Sequence, residues 1–459
     1  MNFSVGEIVE ATGGELVAGR PGGALGPIST DTRTLKAGET FLALRGERHD
    51  GHEFVGEALR RRAAGLVIER SVWSACSPMP DGTAVVLVRD TQAALEDLGR
   101  AARDRLGCPV IAVTGSCGKT TVKEMIGQVL GPRLKGKTPP ASFNNQVGVP
   151  LTLLAADEDD QFVLCEFGTN HPGEIAALAA IARPTIGVVT LVAEVHLEGL
   201  GSIEGVAREK GALVDALPPE GVAILNADDP LVTAMSGRSR GRTVTVGLHE
   251  AADLRAEDFE QSPAGLRFKA GGAVFKIPVL GEHQVVLALA AAAACREVGV
   301  PLQESAEALR RFEPPRMRLA VEQAGDVVVL NDAYNANPAS MRVALGLLPL
   351  WPERRKVFFC GDMRELGEAS RRAHENLGRA VAEAGVAHLV CVGPQSRATA
   401  EAAVAAGMNA AAVAVFDDAK AAAGAAGRFV KGGDLVLIKG SRAIRMEQVA
   451  QAIARACGK

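Results

Sequence analysis

The chain has 459 residues and a net charge of −4, from 50 Lys and Arg against 54 Asp and Glu. At roughly 150 residues per domain this length predicts about three domains, and the near-neutral charge argues against a nucleic-acid partner. Hydrophobic residues make up 47% and charged residues 23%, which excludes general disorder.

Neither a secretory leader nor a membrane span is expected. The first ten residues lack the basic and apolar regions of a signal peptide. The longest strongly apolar run, residues 285–295, is shorter than the roughly 20 residues that cross a bilayer and predicts a buried helix. The eight cysteines never show CxxC spacing, so we expect reduced thiols in a cytoplasmic protein without membrane contact.

Residues 1–106 form the first predicted domain, a smaller α/β domain. Short apolar segments alternate there with glycine-rich turns, at residues 40–44, 65–68 and 84–88. A helical pattern over residues 92–106 ends at Gly107-Cys108-Pro109, which marks the boundary.

Residues 107–313 form the second predicted domain, a P-loop ATPase-like unit. Apolar runs alternate with helical patterns, which is typical of a parallel α/β sheet. The runs lie at residues 110–113, 162–165, 185–189 and 222–225. A helical pattern over residues 302–312 ends at Glu313-Pro314-Pro315, the second boundary.

Residues 314–459 form the third predicted domain. Its apolar runs lie at residues 327–330, 357–360, 388–392 and 435–438. Alanine-rich segments between them predict helices, including the whole of residues 402–427. The alternation predicts a doubly wound, Rossmann-like unit, so that the fold class is three α/β domains.

The sharpest motif is Val-Thr-Gly-Ser-Cys-Gly-Lys-Thr-Thr at residues 113–121, between an apolar strand and a helical pattern. The glycines let successive N–H groups point at a polyphosphate, and the helix adds the positive end of its dipole. Lys119 supplies a cation for the phosphates, and the Thr120 hydroxyl is a Mg²⁺ ligand. The motif predicts ATP binding by Gly115, Ser116, Cys117, Gly118, Lys119, Thr120 and Thr121.

Glu166 ends the apolar run at residues 162–165. A carboxylate at the carboxyl end of a parallel strand, beside a phosphate loop, is well placed to hold Mg²⁺. We therefore predict Thr120 and Glu166 as metal ligands.

The phosphate loop has two residues between its glycines, where the general P-loop has four, and a doubled threonine follows the lysine. This shorter form resembles the loop of the Mur ligases and the folylpolyglutamate synthetases, which make amides by activating a carboxylate with ATP. Mur ligases usually carry Asn where Cys117 stands, so we expect the backbone there to bind phosphate.

The resemblance to the Mur ligases covers nearly the whole chain. Residues 29–33 and the polar segment 38–52 resemble the family's UDP-sugar-binding domain, and residues 142–154 resemble its substrate-facing loop. By itself, a polar turn with a surface ion pair would explain residues 29–33 better, and His49 and His52 are not assigned a metal. The resemblance implies that the UDP-linked substrate is bound by Ser29, Thr30, Asp31, Arg33, Asn144 and Asn145.

The resemblance also implies a second metal ion. Residues 193–202 match the family segment whose histidine reaches that metal, here His196, and Lys210 lies where Mur ligases carry a lysine modified by CO₂ to a carbamate. A carbamate suits Mg²⁺, whereas an ammonium would repel it. Without the resemblance Lys210 would be a solvated helix lysine, like Lys123 and Lys135. The implied cofactors are ATP and two Mg²⁺ ions, with a carbamylated Lys210. The implied catalytic residues are Lys119, His196 and Lys210. The implied metal ligands are Thr120, Glu166, His196 and Lys210.

Further segments resemble the family's nucleotide-contacting elements: residues 281–284, Arg316, and residues 331–341 with the chain's only tyrosine. Gln284 stands in place of the usual Asn. The resemblance implies that ATP is also bound by His283, Arg316, Asn331 and Asp332. Residues 361–367 and 439–442 follow strands at the ligand-binding edge of an open sheet, and the implied dipeptide-binding residues there are Asp362 and Arg442.

The resemblance is closest to the branch of the family that joins D-alanyl-D-alanine to UDP-N-acetylmuramoyl-tripeptide through an acyl phosphate. It implies a monomer that works in peptidoglycan precursor synthesis, and the third residue of the tripeptide stays open. Two alternatives remain. A folylpolyglutamate synthetase shares the phosphate loop but is opposed by the UDP-type domain and residues 331–341, and a P-loop switch or ATPase would hydrolyse ATP without an amine acceptor.

Overall fold

The computed structural model describes residues 1–46, 49–73, 82–140 and 142–458. Glu47 and Arg48 of the polar segment 38–52, and Cys76, lie outside the described residues. Within these ranges the chain forms three α/β units in sequence order, each with its own sheet. None of the helices in these ranges has both the length and the apolar composition that a bilayer crossing requires.

The first unit carries a mixed sheet. Its strands are β1 (Phe3–Ser4), β2 (Glu15–Ala18), β3 (Ala24–Leu25), β4 (Ile28–Ser29), β5 (Thr40–Leu42), β6 (Gly65–Glu69) and β7 (Ala84–Val88). Its helices are α1 (Val5–Thr12), α2 (Val55–Arg60) and α3 (Thr91–Arg105). Five of these strands form a sheet in the order β2-β7-β6-β5-β4, in which only β2 is antiparallel, and β1 and β3 form a separate antiparallel pair. The predicted α/β character is confirmed.

The second unit is built on a parallel sheet. Its strands are β8 (Val110–Thr114), β9 (Gly136–Lys137), β10 (Phe162–Glu166), β11 (Ile186–Val189), β12 (Val222–Asn226), β13 (Arg242–Gly247) and β14 (Leu254–Arg255). Its helices are α4 (Lys119–Leu130), α5 (Gly148–Leu154), α6 (Glu174–Ala182), α7 (Leu197–Leu200), α8 (Ile203–Asp215), α9 (Pro230–Thr233), α10 (His283–Glu297) and α11 (Leu302–Leu309). The order is β14-β13-β12-β11-β8-β10-β9.

Both faces of this sheet are buried, which explains why its strands appear in the sequence as continuous apolar runs. Along β8, Ile111 and Val113 face one core with Val122 of α4, whereas Val110 and Ala112 face the opposite core. The described strands pair in parallel throughout, as expected, and their carboxyl ends therefore meet at one edge.

A small antiparallel sheet follows the parallel one and was not predicted. It consists of β15 (Glu257–Ser262), β16 (Gly265–Ala270) and β17 (Ala273–Ile277). In β17, Ala273, Phe275 and Ile277 are buried while Val274 and Lys276 are exposed. This alternating burial is the pattern of a half-buried strand, and in β16 the sequence itself alternates between apolar and polar residues from Leu266 to Ala270.

The third unit is doubly wound, as predicted. Its strands are β18 (Ala320–Ala324), β19 (Val327–Asp332), β20 (Lys356–Gly361), β21 (His388–Val392), β22 (Val413–Phe416) and β23 (Leu435–Lys439). Its helices are α12 (Pro338–Leu345), α13 (Ser370–Glu383), α14 (Arg397–Ala405), α15 (Ala419–Ala425) and α16 (Glu447–Cys457). The order is β18-β19-β23-β20-β21-β22, and β18 is antiparallel. Helices α12 to α14 cover one face, and α15 and α16 cover the other.

The helix predicted over residues 402–427 is wrong in its middle. Helix α14 ends at Ala405, and β22 pairs in parallel with β21 at the sheet edge before α15 begins. Val413, Val415 and Phe416 favour a strand, and a neighbouring strand is available to bond their backbone. Alanine propensity is a weak preference that such tertiary pairing overrides.

Helix α3 joins the first two units into one apolar core. Val86 of β7 and Leu98 of α3 belong to the same cluster as Val149 and Leu153 of α5. The helices approach closely at Gly99, where a Cβ atom would lie 2.9 Å from Pro150 Cβ. The predicted boundary after residue 106 thus coincides with the end of a helix whose apolar face serves both units.

Gly99→Ala is expected to lower the free energy of unfolding by about 1–3 kcal/mol, because the added methyl group overpacks the contact with Pro150. Chemical denaturation of the full chain measures this change. Gly424→Ala is the matched control, since its Cβ would meet nothing within 4 Å in helix α15, and we expect a gain of about 0.4–1 kcal/mol. Equal stability of the two variants would contradict the close approach of α3 and α5.

Candidate active site

A cavity of about 630 Å³ lies between the second and third units. The phosphate loop, the loop of residues 142–147, the end of β10 and the start of α10 form one side. The other side is formed by Lys439 and by residues of the third unit at three places: 318–319, the segment that follows β19, and the start of α12 up to Val343. The predicted site residues among its lining are Ser116, Cys117, Gly118, Lys119, Thr120, Thr121, Asn144, Asn145, Glu166, His196, His283 and Asp332.

The phosphate loop connects β8 to α4 in a conformation that requires glycine. Gly115 and Gly118 have φ values of 142° and 85°, and a Cβ atom on Gly118 would lie 2.6 Å from Leu287. The Ser116 N–H donates to the Leu191 carbonyl at 2.7 Å, and Lys119 Nζ donates to the Gly115 carbonyl at 2.6 Å. The loop therefore wraps tightly around its lysine, as a polyphosphate cradle requires.

Glu166 is almost fully buried beside this loop. Its Oε1 accepts hydrogen bonds from the Thr120 hydroxyl at 3.2 Å and from Asn144 Nδ2 at 3.0 Å. Its Oε2 has no hydrogen-bond partner in the described part of the chain. A carboxylate with one oxygen outside these hydrogen bonds, next to a threonine hydroxyl, provides a suitable ligand pair for Mg²⁺.

Lys123 is a functional candidate that the sequence did not reveal. Its side chain is fully buried and its Nζ lies 3.9 Å from Glu166 Oε2, 3.3 Å from the Pro139 carbonyl and 3.0 Å from Glu124. Because Lys123 follows Thr120 by three residues, both lie on one face of α4, and this spacing is the signal that could have found it. Lys123 compensates the charge of Glu166 from the side away from the cavity lining.

Arg318, and not Arg316, reaches the cavity. Arg318 Nη2 donates to Thr120 Oγ1 at 3.2 Å, and its guanidinium lies 4.0 Å from the centre of the Tyr334 ring. Arg316 is exposed and is absent from the cavity lining. The two arginines are separated by one residue, and the turn that aims one of them inward includes Met317 and Leu319 at positive φ, which no local pattern predicts.

The end of β19 separates two predicted nucleotide contacts. Asp332 lines the cavity and accepts hydrogen bonds from Lys439 Nζ and from the Leu319 N–H. Burial raises the pKa of Asp332, and the Lys439 ammonium acts in the opposite direction. Asn331 instead donates to Glu322 of β18 at 2.8 Å, outside the cavity lining. Consecutive strand residues point to opposite faces, so Asn331 and Asp332 do not share one ligand.

His196 pairs across the units with Glu365. Its Nδ1 lies 2.5 Å from Glu365 Oε2, and both residues have positive φ values, 53° and 63°. Burial lowers the pKa of His196, and the Glu365 carboxylate acts in the opposite direction. The pair forms part of the contact between the second and third units.

Lys210 is buried in α8 and is not the solvated lysine that the bare pattern predicts. Its side chain is 1% exposed, and it makes no hydrogen bond or ion pair with any described residue. Burial, followed by repulsion from Lys119, lowers the pKa of Lys210 well below its usual value. Its amine is therefore held towards the neutral form, which is the form that reacts with CO₂.

His283 and Gln284 begin α10 on the cavity wall. His283 Nδ1 and Gln284 Oε1 are buried and have no hydrogen-bond partner among the described residues. Burial lowers the pKa of His283 to about 4, so the ring is neutral at pH 7. Two uncommitted polar atoms on a cavity wall fit a ligand that carries both donors and acceptors, such as a purine base.

The residues predicted to bind the UDP-linked substrate are not brought together. Asn145 Oδ1 accepts from the Gly148 N–H at 2.9 Å and so supports the start of α5. Asp31 and Arg33 form an ion pair on the surface of the first unit, where the Arg33 side chain is 87% exposed. Ser29, Thr30, Asp31 and Arg33 all lie outside the lining of the cavity that contains Asn144 and Asn145.

The two predicted dipeptide contacts also lie outside the cavity lining. Asp362 is fully buried, and its Oδ1 accepts from the Ser396 N–H at 2.7 Å. A Cβ atom on Gly393 would lie 2.6 Å from the Asp362 carboxylate, so this side chain packs beneath the loops. Arg442 is exposed and pairs with Glu447 at 3.0 Å.

Comparison with known proteins identifies the family. A model described as the Mur ligase middle domain matches residues 113–295, and one described as Mur ligase, glutamate ligase domain, matches residues 310–442. The chain is 35% identical over 426 residues to the UDP-N-acetylmuramoyl-tripeptide–D-alanyl-D-alanine ligase of Bacillus subtilis, with 92% of each chain covered. The chain belongs to the Mur ligase family.

Solved structures agree with this assignment. The fold of this Mur ligase is similar to that of MurF from Acinetobacter baumannii, with a TM-score of 0.89, 30% identity and 99% of each chain covered. It is also similar to the MurF ligase from Thermotoga maritima in complex with ADP, with a TM-score of 0.80 and 26% identity. That match covers 94% of this chain and 97% of the other.

Arg318→Ala is expected to weaken ATP binding by about tenfold or more, because a charged hydrogen bond at the cavity is lost. Calorimetric titration of the full chain with ATP measures the affinity. Arg316→Ala is the matched control, and as a surface substitution it is expected to stay within about twofold of the unmodified chain. A larger loss of ATP affinity in Arg316→Ala than in Arg318→Ala would instead assign the nucleotide contact to Arg316.

Proposed function

We propose that this Mur ligase joins D-alanyl-D-alanine to UDP-N-acetylmuramoyl-tripeptide with ATP, in peptidoglycan precursor synthesis. The observation that carries the proposal is the cavity itself, where Lys119, Thr120 and Glu166 face Arg318 and Lys439 across two units. The relative from Bacillus subtilis carries this activity in its name and matches 92% of the chain. ATP binding is supported by the phosphate loop and by the similar chain in complex with ADP.

The reaction proceeds in two displacements. A carboxylate oxygen of the tripeptide attacks the γ-phosphorus of ATP, and the bond between this phosphorus and the bridging oxygen breaks. The products of this step are the acyl phosphate of the tripeptide and ADP. The dipeptide amine then attacks the acyl carbon, loses a proton and expels phosphate from a tetrahedral intermediate. Two anions must approach in the first step, and Lys119 offsets their repulsion at the transferring phosphoryl group.

Two Mg²⁺ ions are proposed for the same cavity. Thr120 and Glu166 would hold the first, since Glu166 Oε2 has no hydrogen-bond partner among the described residues. His196 and a carbamylated Lys210 would complete the second. Bound Mg²⁺ neutralises phosphate charge and orients the phosphoryl group. In this arrangement His196 must exchange its contact with Glu365 for a metal, or share it.

Carbamylation fits the surroundings of Lys210. The reaction joins the neutral amine to the carbon of CO₂ with loss of one proton, so a buried amine with a lowered pKa is favoured. The product carries negative charge close to the Lys119 ammonium, which would replace a repulsion by an attraction. The lysine thereby gains a partner in a position where the unmodified ammonium has none within the described chain.

Lys210→Ala is expected to be nearly inactive in ligation and to recover partly when short carboxylic acids are added, because they replace the lost oxygen ligands. Amide formation with and without acetate is the measurement. Lys135→Ala is the control, since Lys135 lies on the surface beside Asp159, and it is expected to match the unmodified enzyme without response to acetate. Electron density for an unmodified Lys210 in crystals of a fully active enzyme with Mg²⁺ would exclude the carbamate.

The cytoplasm is the proposed location, because the reaction consumes ATP and the described cysteines are all free. We propose that the protein acts as a monomer.

Phosphate release is expected to need both the UDP-linked tripeptide and D-alanyl-D-alanine, with single amino acids at least roughly a hundredfold poorer. A site that pairs the extra amide of a dipeptide is left with unsatisfied polar groups when a lone amino acid binds. Release measured with D-alanyl-D-alanine, D-alanine, diaminopimelate and L-lysine decides the acceptor. Equal release without any amine would instead identify an ATPase.

A further inference from the structure

One hydrogen bond across the cavity, between the second and third units, joins two residues that have no role in the proposed reaction steps. The Tyr334 hydroxyl lies 3.1 Å from the Ser142 hydroxyl. Tyr334 follows β19 in the third unit, and Ser142 begins the loop of residues 142–147 in the second. Both residues line the cavity.

Contacts with Arg318 and with the Met317 carbonyl determine where the Tyr334 hydroxyl lies. The Arg318 guanidinium stacks 4.0 Å from the ring centre, and the Tyr334 N–H donates to the Met317 carbonyl at 3.1 Å. Arg318 also donates to the Thr120 hydroxyl of the phosphate loop. The ring is thus held by the same arginine that contacts the phosphate loop.

The other end of the hydrogen bond belongs to a loop that reaches Glu166. Asn144, two residues after Ser142, donates to Glu166 Oε1 at 3.0 Å, and its carbonyl accepts from the Gly168 N–H at 2.7 Å. A displacement of Ser142 therefore acts on Asn144 through one intervening residue. The loop forms the cavity wall on the side of the end of β10, where the carboxylate to be activated would enter.

We propose that Tyr334 is a positioning residue whose hydroxyl keeps the loop of residues 142–147 closed over the acyl phosphate. This inference rests on the proposed function. The acyl carbon can be attacked by the dipeptide amine, which gives an amide and phosphate, or by water, which gives the original carboxylate and phosphate. A closed loop excludes water and favours the amine, so the hydroxyl acts on the partition between these two products.

The test is the ratio of uncoupled phosphate, which is the phosphate released in excess of the amide, to amide formed, measured for the full chain with ATP, Mg²⁺, the UDP-linked tripeptide and D-alanyl-D-alanine. Tyr334→Phe removes only the hydroxyl and keeps the ring beneath Arg318. We expect this ratio to rise by about two- to tenfold, the range of one neutral hydrogen bond. The KM for ATP is expected to stay within about twofold, because the stacking contact is kept.

Ser142→Ala removes the same hydrogen bond from the other side and is expected to raise the ratio equally. The double variant is expected to add nothing to either single variant, since both remove one interaction. Ser239→Ala is the matched control, because its hydroxyl bonds only the Gly241 carbonyl outside the cavity lining. It is expected to leave the ratio unchanged.

An unchanged ratio in Tyr334→Phe, or additive effects of the two substitutions, overturns the positioning role while amide formation by the unmodified enzyme upholds the proposed function. A raised KM for ATP with an unchanged ratio also overturns it, and it would place the hydroxyl in nucleotide binding alone. Absence of amide formation by the unmodified enzyme overturns the proposed function and this inference together.

Discussion

The Glu166 carboxylate, buried at the carboxyl end of β10, is stable only because side chains from separate segments surround it. Burying an ionised carboxylate without partners is costly, and here Thr120, Asn144 and Lys123 provide the hydrogen bonds and the charge. Thr120 in turn accepts a hydrogen bond from Arg318 of the third unit. The phosphate loop, the loop of residues 142–147 and the third unit are therefore connected through one carboxylate.

The apolar core beneath this edge gives the arrangement a rigid base. Helix α3 places the first unit on the second through the contact of Gly99 with Pro150, and the two units share one continuous cluster of buried side chains. Contact with the third unit is different in character. It consists of polar side-chain pairs, among them His196 with Glu365 and Tyr334 with Ser142, which exchange partners more readily than a packed core.

Buried cations dominate the electrostatics of the cavity. Lys119 and Lys439 line the cavity, whereas Lys123 and Lys210 are buried outside its lining. Lys123 and Lys439 are compensated by Glu166 and Asp332, whereas Lys119 and Lys210 repel each other. An anion placed near these two lysines would reduce the repulsion between them.

The sequence by itself determined the three α/β units and the phosphate loop. Hydrophobic periodicity reports which strands are buried on both faces, and the conformational need for Gly115 and Gly118 is local to the loop. The hydrophobic pattern did not predict strand β22, because pairing with β21 overrides the helix preference of the neighbouring alanine-rich run. The alternation of apolar and polar residues along β16, from Leu266 to Ala270, is a strand signal that the sequence does contain.

Only the tertiary structure decided which side chains reach the cavity. The direction of a turn decides that Arg318 reaches the cavity and Arg316 does not. The face of the strand end decides that Asp332 lines the cavity while Asn331 points to β18. The burial of Lys123 and Lys210 depends on segments far away in the sequence, and that burial lowers the pKa of Lys210. The sequence shows which residue types are present at these positions. The orientation and the desolvation of their side chains depend on packing between the units, which no local sequence pattern predicts.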